Sequence, residues 1–228
     1  RGDHARTPKL TPLPAKSDAL SEPQTGHWRL SAEAGATLED LVLADSPQAA
    51  APLQPRDVRV AVHAAGLNFR DLMVTLGVYP GEAPVGSEGA GDVLEVGSAV
   101  EELAPGDRVM GLIADSFGPL AVTNSRLLTK IPRDWSYATA AAIPLVFLTA
   151  YYALVDLANL KAGEKILIHS AAGGVGLAAV ELAQHIGAEV FATASPPKWD
   201  LLIDRGIDRA HLASSRELDF RERFLERT

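Results

Sequence analysis

The sequence predicts an α/β fold in which a β-rich N-terminal part precedes a parallel sheet. In the first half, short apolar runs alternate with turn residues, as in the valines at 58, 60 and 62, and predict several short strands. In the second half, an apolar run at 166–168, a small-residue turn, a helical pattern at 175–186 and another apolar run from Val190 follow one another. This succession is typical of a βαβ unit, whose two strands pair in parallel.

Composition limits the class of protein. The 228 residues suffice for one large domain or two small ones, and a hydrophobic fraction of 47% suffices for their cores. The net charge of −8 argues against a nucleic-acid partner or an acidic membrane surface. The absence of cysteine excludes a disulfide framework, a thiolate nucleophile and a four-cysteine zinc site, and the 6 histidines show no HExxH spacing. We therefore expect no metal site.

The apolar stretches and the N-terminus bear on localisation. The longest apolar candidate, residues 138–155, is interrupted by Pro144 and carries polar side chains, so we expect no membrane-spanning run. The first ten residues lack the pattern of a signal peptide. We therefore expect a cytoplasmic protein that does not bind membranes.

The N-terminal segment, residues 1–27, is rich in Pro, Lys, Ser and Thr and lacks periodicity, which predicts a linker or an extended arm. Strand-like runs follow at 28–30 and 38–43, and an Ala/Pro-rich loop is expected at 48–55. The alternation about Val60 predicts a strand with one buried face.

Helices and further strands are predicted in the middle of the chain. A short helix is expected from residue 67 to about 76. The glycine-rich stretch at 86–91 resembles a phosphate-binding loop, but the residues after it alternate as a strand, so no helix N-terminus faces the glycines. A turn at 105–107 leads into another strand, and strands at this spacing predict a small barrel. Residues 137–155 have a helical pattern, with Pro144 at a break or at a new helix start.

The turn inside the βαβ unit has the composition of a dinucleotide-binding site. Its register is Ala171-x-Gly173-x-x-Gly176, after an apolar strand and before a helix that Gly187 ends. Small residues let a pyrophosphate approach the backbone N–H groups at the helix N-terminus, where the helix dipole favours negative charge. The alternative is a glycine turn selected only for close helix packing. We expect a Rossmann-type cofactor site at this turn.

The end of the second strand bears on the choice of cofactor. No carboxylate stands there to accept from a ribose 2′-hydroxyl, whereas Ser195 and Lys198 suit a 2′-phosphate, which favours NADPH. The alternative for Lys198 is a solvated lysine in the first turn of a helix. A helix at about 198–204, a strand at 210–212 and a helical segment at 218–226 complete roughly half of a Rossmann sheet.

Six sequence blocks stand in one order along residues 28–228. They are LNFRD at 67–71, GVYPG at 77–81, GSEGAGDVLEVG at 86–97, GDRVMGL at 106–112, IPLVFLTAYYAL at 143–154 and HSAAGGVGLAAVELA at 169–183. In this order and spacing they resemble the enoylreductase domain of a modular type I polyketide synthase, a zinc-free, quinone-oxidoreductase-like branch of the medium-chain dehydrogenase/reductase superfamily. The resemblance implies a GroES-like substrate and catalytic domain at 28–150 and the N-terminal half of a Rossmann domain at 151–228, with the cofactor between them.

Enzymes of this family reduce the α,β double bond of an enoyl thioester held on the phosphopantetheine arm of an acyl carrier protein. Hydride from NADPH goes to the β-carbon, and the resulting enolate is protonated at the α-carbon. The resemblance therefore implies NADPH as cofactor, and as partners an acyl carrier protein and neighbouring synthase domains such as a ketoreductase. It implies no zinc, in agreement with the absence of cysteine.

Site residues follow from the resemblance by position. Asn68 and Thr149 would lie near the nicotinamide, and Ser195 and Lys198 would meet the adenosine end. Tyr79 stands at a position associated with protonation of the α-carbon, and packing of the turn around it is the alternative. The residues that would line the pyrophosphate are Ala172, Gly173, Gly174, Val175 and Gly176.

The family pattern continues beyond Thr228 with further strands and a lysine-bearing stretch implicated in protonation. We therefore expect this chain to be a truncated form of the domain, and activity to require residues that it lacks. Two other functions stay open. One is a free quinone oxidoreductase of the same fold, and the other is a non-catalytic reductase remnant that serves as a scaffold.

Overall fold

The computed structural model describes residues 20–32, 38–81, 83–218 and 220–225, so most of the expected N-terminal arm lies outside the described residues. The described backbone forms sheets of two, three and five strands. The five-stranded sheet is antiparallel and the three-stranded sheet is parallel. The predicted fold class, a β-rich GroES-like part followed by a partial Rossmann parallel sheet, is confirmed.

A two-stranded ribbon precedes the larger sheet. Strands β1 (Trp28–Ser31) and β2 (Val42–Asp45) pair antiparallel. The helical turn α1 (Pro47–Ala50) follows directly, so the loop expected at 48–55 is wrong in its first three residues. Pro47 stands at the first helical position, where its fixed φ is already helical and its missing N–H costs nothing.

The antiparallel sheet has the strand order β6-β3-β4-β5-β7. Its inner face is a core of valines such as Val58, Val60 and Val93, each no more than 1% exposed, which confirms the predicted alternation about Val60. The glycine-rich stretch at 86–91 is strand from Glu88 onward, and a Cβ at Gly91 would lie 1.9 Å from the carbonyl oxygen of Ala61. Gly91 therefore allows the strand that contains it to lie close to the strand that contains Ala61. The strands are β3 (Asp57–Ala65), β4 (Glu88–Val96), β5 (Arg108–Leu112), β6 (Leu120–Asn124) and β7 (Leu128–Lys130).

Three helices accompany this sheet. Helix α2 (Phe69–Thr75) links β3 to the loop before β4, and Gly77 follows it with a φ of 67°. Helix α3 (Tyr137–Ala141) is followed by α4 (Pro144–Tyr151), and Pro144 starts α4 as expected. The end of α4 continues into a π-helical turn at Tyr152–Leu157.

The parallel sheet has the order β10-β9-β8 and a core that includes Val180, Ala192, Leu202 and Leu212, all 0% exposed. Gly187 ends α5 in the left-handed conformation, with a φ of 89°. The third strand begins two residues later than expected, because the Asp208 carboxylate accepts from the backbone N of Ala210 at 2.7 Å and caps a 3₁₀ turn there. The elements are β8 (Lys165–Ile168), α5 (Gly174–Ile186), β9 (Glu189–Ala194), α6 (Trp199–Asp204), β10 (Leu212–Ser214) and α7 (Phe220–Leu225).

The helical stretch Tyr137–Leu157 is more apolar than the sequence analysis expected. Its mean hydropathy of 1.8 and its 21 residues make it long and apolar enough, by length and composition, to cross a membrane, and the expectation of no such run is wrong. The averaging covers Pro144, where the helix is divided into two. In the fold, α4 packs against β5 of the five-stranded sheet and against α5 of the βαβ unit, and so lies between the antiparallel and the parallel sheet.

Candidate cofactor site

The turn between β8 and α5 leaves a helix N-terminus open to a ligand. Gly173 is the N-cap residue of α5, and its backbone is extended, with no side chain bonded to the first N–H groups of the helix. The first N–H groups of any α-helix have no partner within it. Gly173 and Gly174 are exposed, and Val175 is 44% exposed. The backbone donors that a pyrophosphate needs are therefore accessible at this turn.

Gly173 and Gly176 in this turn are constrained differently by the surrounding structure. A Cβ at Gly176 would lie 2.4 Å from the carbonyl oxygen of Ser170 and 2.7 Å from the Cα of Ala171, so the fold itself excludes a side chain there. A Cβ at Gly173 would meet only that Ser170 oxygen, at 3.3 Å, and its φ of −93° suits any residue. Packing therefore constrains Gly173 much less than Gly176.

Ser170 shapes the turn through its backbone. It has a φ of 53°, in the left-handed region that non-glycine residues rarely occupy. Its carbonyl oxygen accepts from the backbone N of Gly173 at 2.9 Å. Local strain of this kind persists where surrounding structure enforces it, and it is frequent at ligand-binding turns. No rule of sequence spacing indicated Ser170.

The end of β9 carries the residues expected at the adenosine end. Ser195 is half-buried, and Lys198 is exposed at the end of the 3₁₀ turn Pro196–Lys198. Trp199 is anchored by its Nε1, which donates to the carbonyl oxygen of Ala194 at 3.0 Å. The guanidinium of Arg209 lies 5.6 Å from the centre of the Trp199 ring, a second cation that sequence reasoning missed.

On the antiparallel-sheet side, Asn68 is held at the start of α2. Its backbone N donates to the Asp71 carboxylate at 2.8 Å, as part of a capping box. Its side-chain Nδ2 donates to Oε1 of Glu88 at 2.7 Å. The other oxygen of Glu88 accepts from the backbone N of Leu145, in the first turn of α4, at 2.8 Å. Sequence reasoning treated Glu88 only as part of a glycine-rich strand.

Helix α4 also carries Thr149, which is exposed and whose hydroxyl donates to the carbonyl oxygen of Leu145 at 2.7 Å. One residue from Leu145, the Cγ1 atom of Val146 lies 3.3 Å from where a Cβ at Gly174 would stand. The structure thus brings Asn68, α4 and the glycine turn into one connected set. Ser195 and Lys198 lie beyond it, at the other strand of the βαβ unit.

Tyr79 is half-buried in the loop after α2. Its backbone N donates to the carbonyl oxygen of Met73 at 3.1 Å, and the guanidinium of Arg70 lies 5.1 Å from the centre of its ring. Arg70 is held in turn by Ser87 and by the carbonyl oxygen of Pro84. Among the residues that the structure describes, none hydrogen-bonds the Tyr79 hydroxyl. The ring of Tyr79 therefore packs beside the guanidinium of Arg70.

Two groups with shifted pKa values, Asp92 and Tyr137, belong to a second polar cluster, which fastens α3 to the sheet. The Tyr137 hydroxyl donates to Oδ1 of Asp92 at 2.5 Å, and Nε2 of His63 lies 3.0 Å from Oδ2. The hydrogen bond from Tyr137, and to a smaller extent His63, lowers the pKa of Asp92. The same hydrogen bond raises the pKa of Tyr137. The guanidinium of Arg108 lies 4.6 Å from the centre of the Tyr137 ring.

The chain is similar to known proteins in sequence and in fold. Residues 54–125 match the alcohol dehydrogenase GroES-like domain family. The chain is 55% identical over 217 residues to the spectinabilin polyketide synthase system protein NorB of Streptomyces orinoci. The alignment covers 95% of this chain and 10% of that protein. The crystal structure of CurK enoyl reductase is 37% identical with a TM-score of 0.80, over 89% of this chain and 64% of that one.

A mycobacterial protein solved in complex with NADPH has the same fold. It is 30% identical to this chain, with a TM-score of 0.71, over 82% of this chain and 58% of that protein. The chain thus spans about a tenth of the length of the synthase protein that it matches and less than two thirds of each solved structure.

Proposed function

We propose that this chain acts within an NADPH-dependent enoylreductase. The proposal proceeds from the premise that the chain belongs to the medium-chain reductase family of polyketide-synthase enoylreductase domains. The substrate would be an α,β-unsaturated acyl thioester on the phosphopantetheine arm of an acyl carrier protein. The double bond gains a hydride at the β-carbon and a proton at the α-carbon, and NADPH becomes NADP⁺. The partners would be the acyl carrier protein and neighbouring synthase domains such as a ketoreductase.

The open N-terminus of α5 carries this proposal. A methyl group at Gly173 would meet only the Ser170 carbonyl oxygen, in a tight contact of 3.3 Å, yet a side chain there would stand in front of the N–H groups that a pyrophosphate uses. When bound, NADPH would supply the hydride. Lys198, with Ser195, is proposed to bind the 2′-phosphate, because a charged lysine follows a strand end that has no carboxylate.

The residues of the antiparallel-sheet side are proposed to act on the reacting groups. Asn68 and Thr149 would orient the nicotinamide from the two elements that Glu88 connects. Tyr79 would donate a proton toward the α-carbon as the enolate forms, since a phenol is protonated at neutral pH. Arg70 holds the ring of Tyr79 in place.

The experiment that tests this function is an assay of the full-length protein with NADPH. Enoyl pantetheine thioesters and a simple quinone are offered separately, and NADPH oxidation is followed by absorbance. We expect turnover with the thioester, with reduction at the α,β bond shown by mass spectrometry, and little turnover with the quinone.

Each other outcome identifies one of the alternatives. Turnover of the quinone without turnover of the thioester would indicate a quinone oxidoreductase. Binding of NADPH, or no binding, with neither substrate reduced would indicate a scaffold. The 55% identity to a synthase protein favours the thioester as substrate.

A further inference from the structure

We infer that Glu88 is the positioning residue that orients Asn68 and fixes the first turn of α4 beside it. The inference rests on the function proposed above, because it assigns a role within the same site. Glu88 lies on β4 and would touch neither the cofactor nor the substrate.

The burial of Glu88 is built into the sheet. Its side chain belongs to a residue that is 2% exposed, in a space left by Gly66. A Cβ at Gly66 would lie 2.3 Å from Oε1 of Glu88 and 2.7 Å from the carbonyl oxygen of Ala141. A carboxyl group taken out of water is costly unless its oxygens receive hydrogen bonds, so a buried glutamate needs a reason to be there.

The two oxygens of Glu88 accept from two different elements. Oε1 accepts from Nδ2 of Asn68 at 2.7 Å, and Oε2 accepts from the backbone N of Leu145 at 2.8 Å. The Leu145 N–H belongs to the first turn of α4, where it has no partner within the helix, and the helix dipole there favours a negative group. One carboxyl group therefore satisfies both donors.

This arrangement gives the Asn68 amide a single orientation. A carboxylate only accepts, so it requires the nitrogen end of the amide and excludes the oxygen end. The backbone of Asn68 is held independently by the Asp71 carboxylate, at 2.8 Å. Without Glu88, the capping box with Asp71 would still hold the backbone of Asn68 and the oxygen end of its amide, but the nitrogen end would lose its acceptor.

The same carboxyl group relates Asn68 to the glycine turn. It holds Leu145, and the next residue, Val146, packs against Gly174 at the start of α5. Glu88 thus connects the residue proposed at the nicotinamide with the turn proposed at the pyrophosphate. Misplacing a reacting group by about 1 Å is enough to cost roughly 100-fold in rate, which sets the expected effect of losing this connection.

The test compares Glu88→Gln with Glu95→Gln in the full-length protein. Glu95 lies on the same strand, but its side chain is 55% exposed and pairs with Arg59 at the surface, so it is a matched control. The rate of hydride transfer to an enoyl thioester and the Kd for NADPH are measured at a temperature where circular dichroism shows every variant folded. We expect Glu88→Gln to lower kcat about tenfold or more and to change the Kd less than about threefold, because the pyrophosphate and adenosine contacts stay in place.

A double-mutant cycle with Asn68→Ala separates positioning from general stability. If Glu88 acts through Asn68, adding Glu88→Gln to Asn68→Ala lowers kcat by less than about twofold further. Losses that multiply in the double variant would overturn the inference. So would a kcat for Glu88→Gln within about twofold of Glu95→Gln.

Two further measurements keep the inference testable. If Glu88→Gln does not fold, the double variant Glu88→Gln with Asn68→Asp restores matched hydrogen-bond donors and acceptors. We expect this double variant to fold, to bind NADPH and to lose about tenfold in kcat. Full turnover by the double variant would overturn the inference. A wild-type protein that binds NADPH but reduces no thioester would contradict the proposed function alone. In that event, a change in the fluorescence of bound NADPH on Glu88→Gln would support the inference, and an unchanged spectrum would contradict it.

Discussion

Lys198 is an exposed cation at the end of the strand where the adenosine end of a cofactor is proposed to lie. Hydrogen bonds to charged groups contribute about 1.5–3 kcal/mol, which is on the order of tenfold or more in affinity. We therefore expect Lys198→Ala to weaken NADPH about tenfold or more and NADH less than about threefold, measured by fluorescence titration of the full-length protein. Lys130→Ala, which removes a surface ion pair with Asp107, is the control. Equal losses of affinity for NADPH and NADH would contradict a role of Lys198 in binding the 2′-phosphate.

Tyr79 is the other single residue on which chemistry is proposed to depend. Its ring is held by Arg70, so Tyr79→Phe should keep the ring in place and remove only the hydroxyl. A positioned acid typically contributes about 10²–10⁴-fold, but solvent can replace it. We expect a change in the configuration, or its purity, at an α-methyl centre that is larger than any change in NADPH oxidation. Product chirality and rate are measured together. If both are unchanged, Tyr79 only packs the turn.

At the scale of elements, the glycine turn allows packing to be separated from binding. Gly173→Val should lower the Tm far less than Gly176→Val, because its Cβ meets only the Ser170 carbonyl oxygen at 3.3 Å, and it should abolish NADPH binding, because its side chain would stand in front of the helix N-terminus. Gly176→Val should instead destabilise the fold by about 3 kcal/mol, because its Cβ would overlap the Ser170 carbonyl. Thermal unfolding and cofactor titration of both variants check this. A Gly173→Val protein that still binds NADPH would mean that the turn is only structural.

The attachment of α3 to the sheet should depend on pH. The lowered pKa of Asp92 means that its contribution is present above about 3.8 and is lost as the pH falls through the lowered value. The raised pKa of Tyr137 means that its contribution is present up to about pH 10 and is lost as the pH rises through the raised value. Tyr137→Phe should therefore cost on the order of 1 kcal/mol at pH 7 and progressively less as the pH falls through the lowered pKa of Asp92.

Urea unfolding of the wild type and of Tyr137→Phe across that range is the measurement. Leu128→Ile, in a neighbouring strand of the same sheet, is the control for an ordinary change that does not depend on pH. A stability difference for Tyr137→Phe that stays constant while Asp92 becomes protonated would show that the hydrogen bond does not couple to the charge of Asp92.

At the scale of the whole molecule, Glu88 joins the antiparallel sheet to α4, which packs against α5 beside the parallel sheet, and Gly66 makes room for the Glu88 carboxyl group. A Cβ at Gly66 would press on both Glu88 and the carbonyl of Ala141, so Gly66→Ala should destabilise the protein by about 1–3 kcal/mol. Gly173→Ala, which has more space, should have little effect on the free energy of unfolding. Urea midpoints compare the two variants. Equal midpoints would show that the space around Gly66 adapts to a methyl group at no cost.

The sequence by itself determined the parallel βαβ unit and its small-residue turn, because these follow from local periodicity and from small residues between a strand and a helix. It also determined the start of α4 at Pro144 and the end of α5 at Gly187, since proline and glycine act through their own backbone. The start of β10 was placed two residues too early, because a side-chain cap from Asp208 outweighed the apolar pattern.

Only the tertiary structure decided which residues meet. Glu88 is 20 residues from Asn68 and 57 from Leu145 in sequence, and no periodicity relates the three. Their contact depends on the pairing of β4 with β3 and on the position of α4 across the sheet, which are set by packing over long separations. For the same reason, the different demands on Gly173 and Gly176 became visible only when the Ser170 carbonyl was placed between them. Local composition thus determined what kind of turn forms, and packing decided which side chains are held beside it.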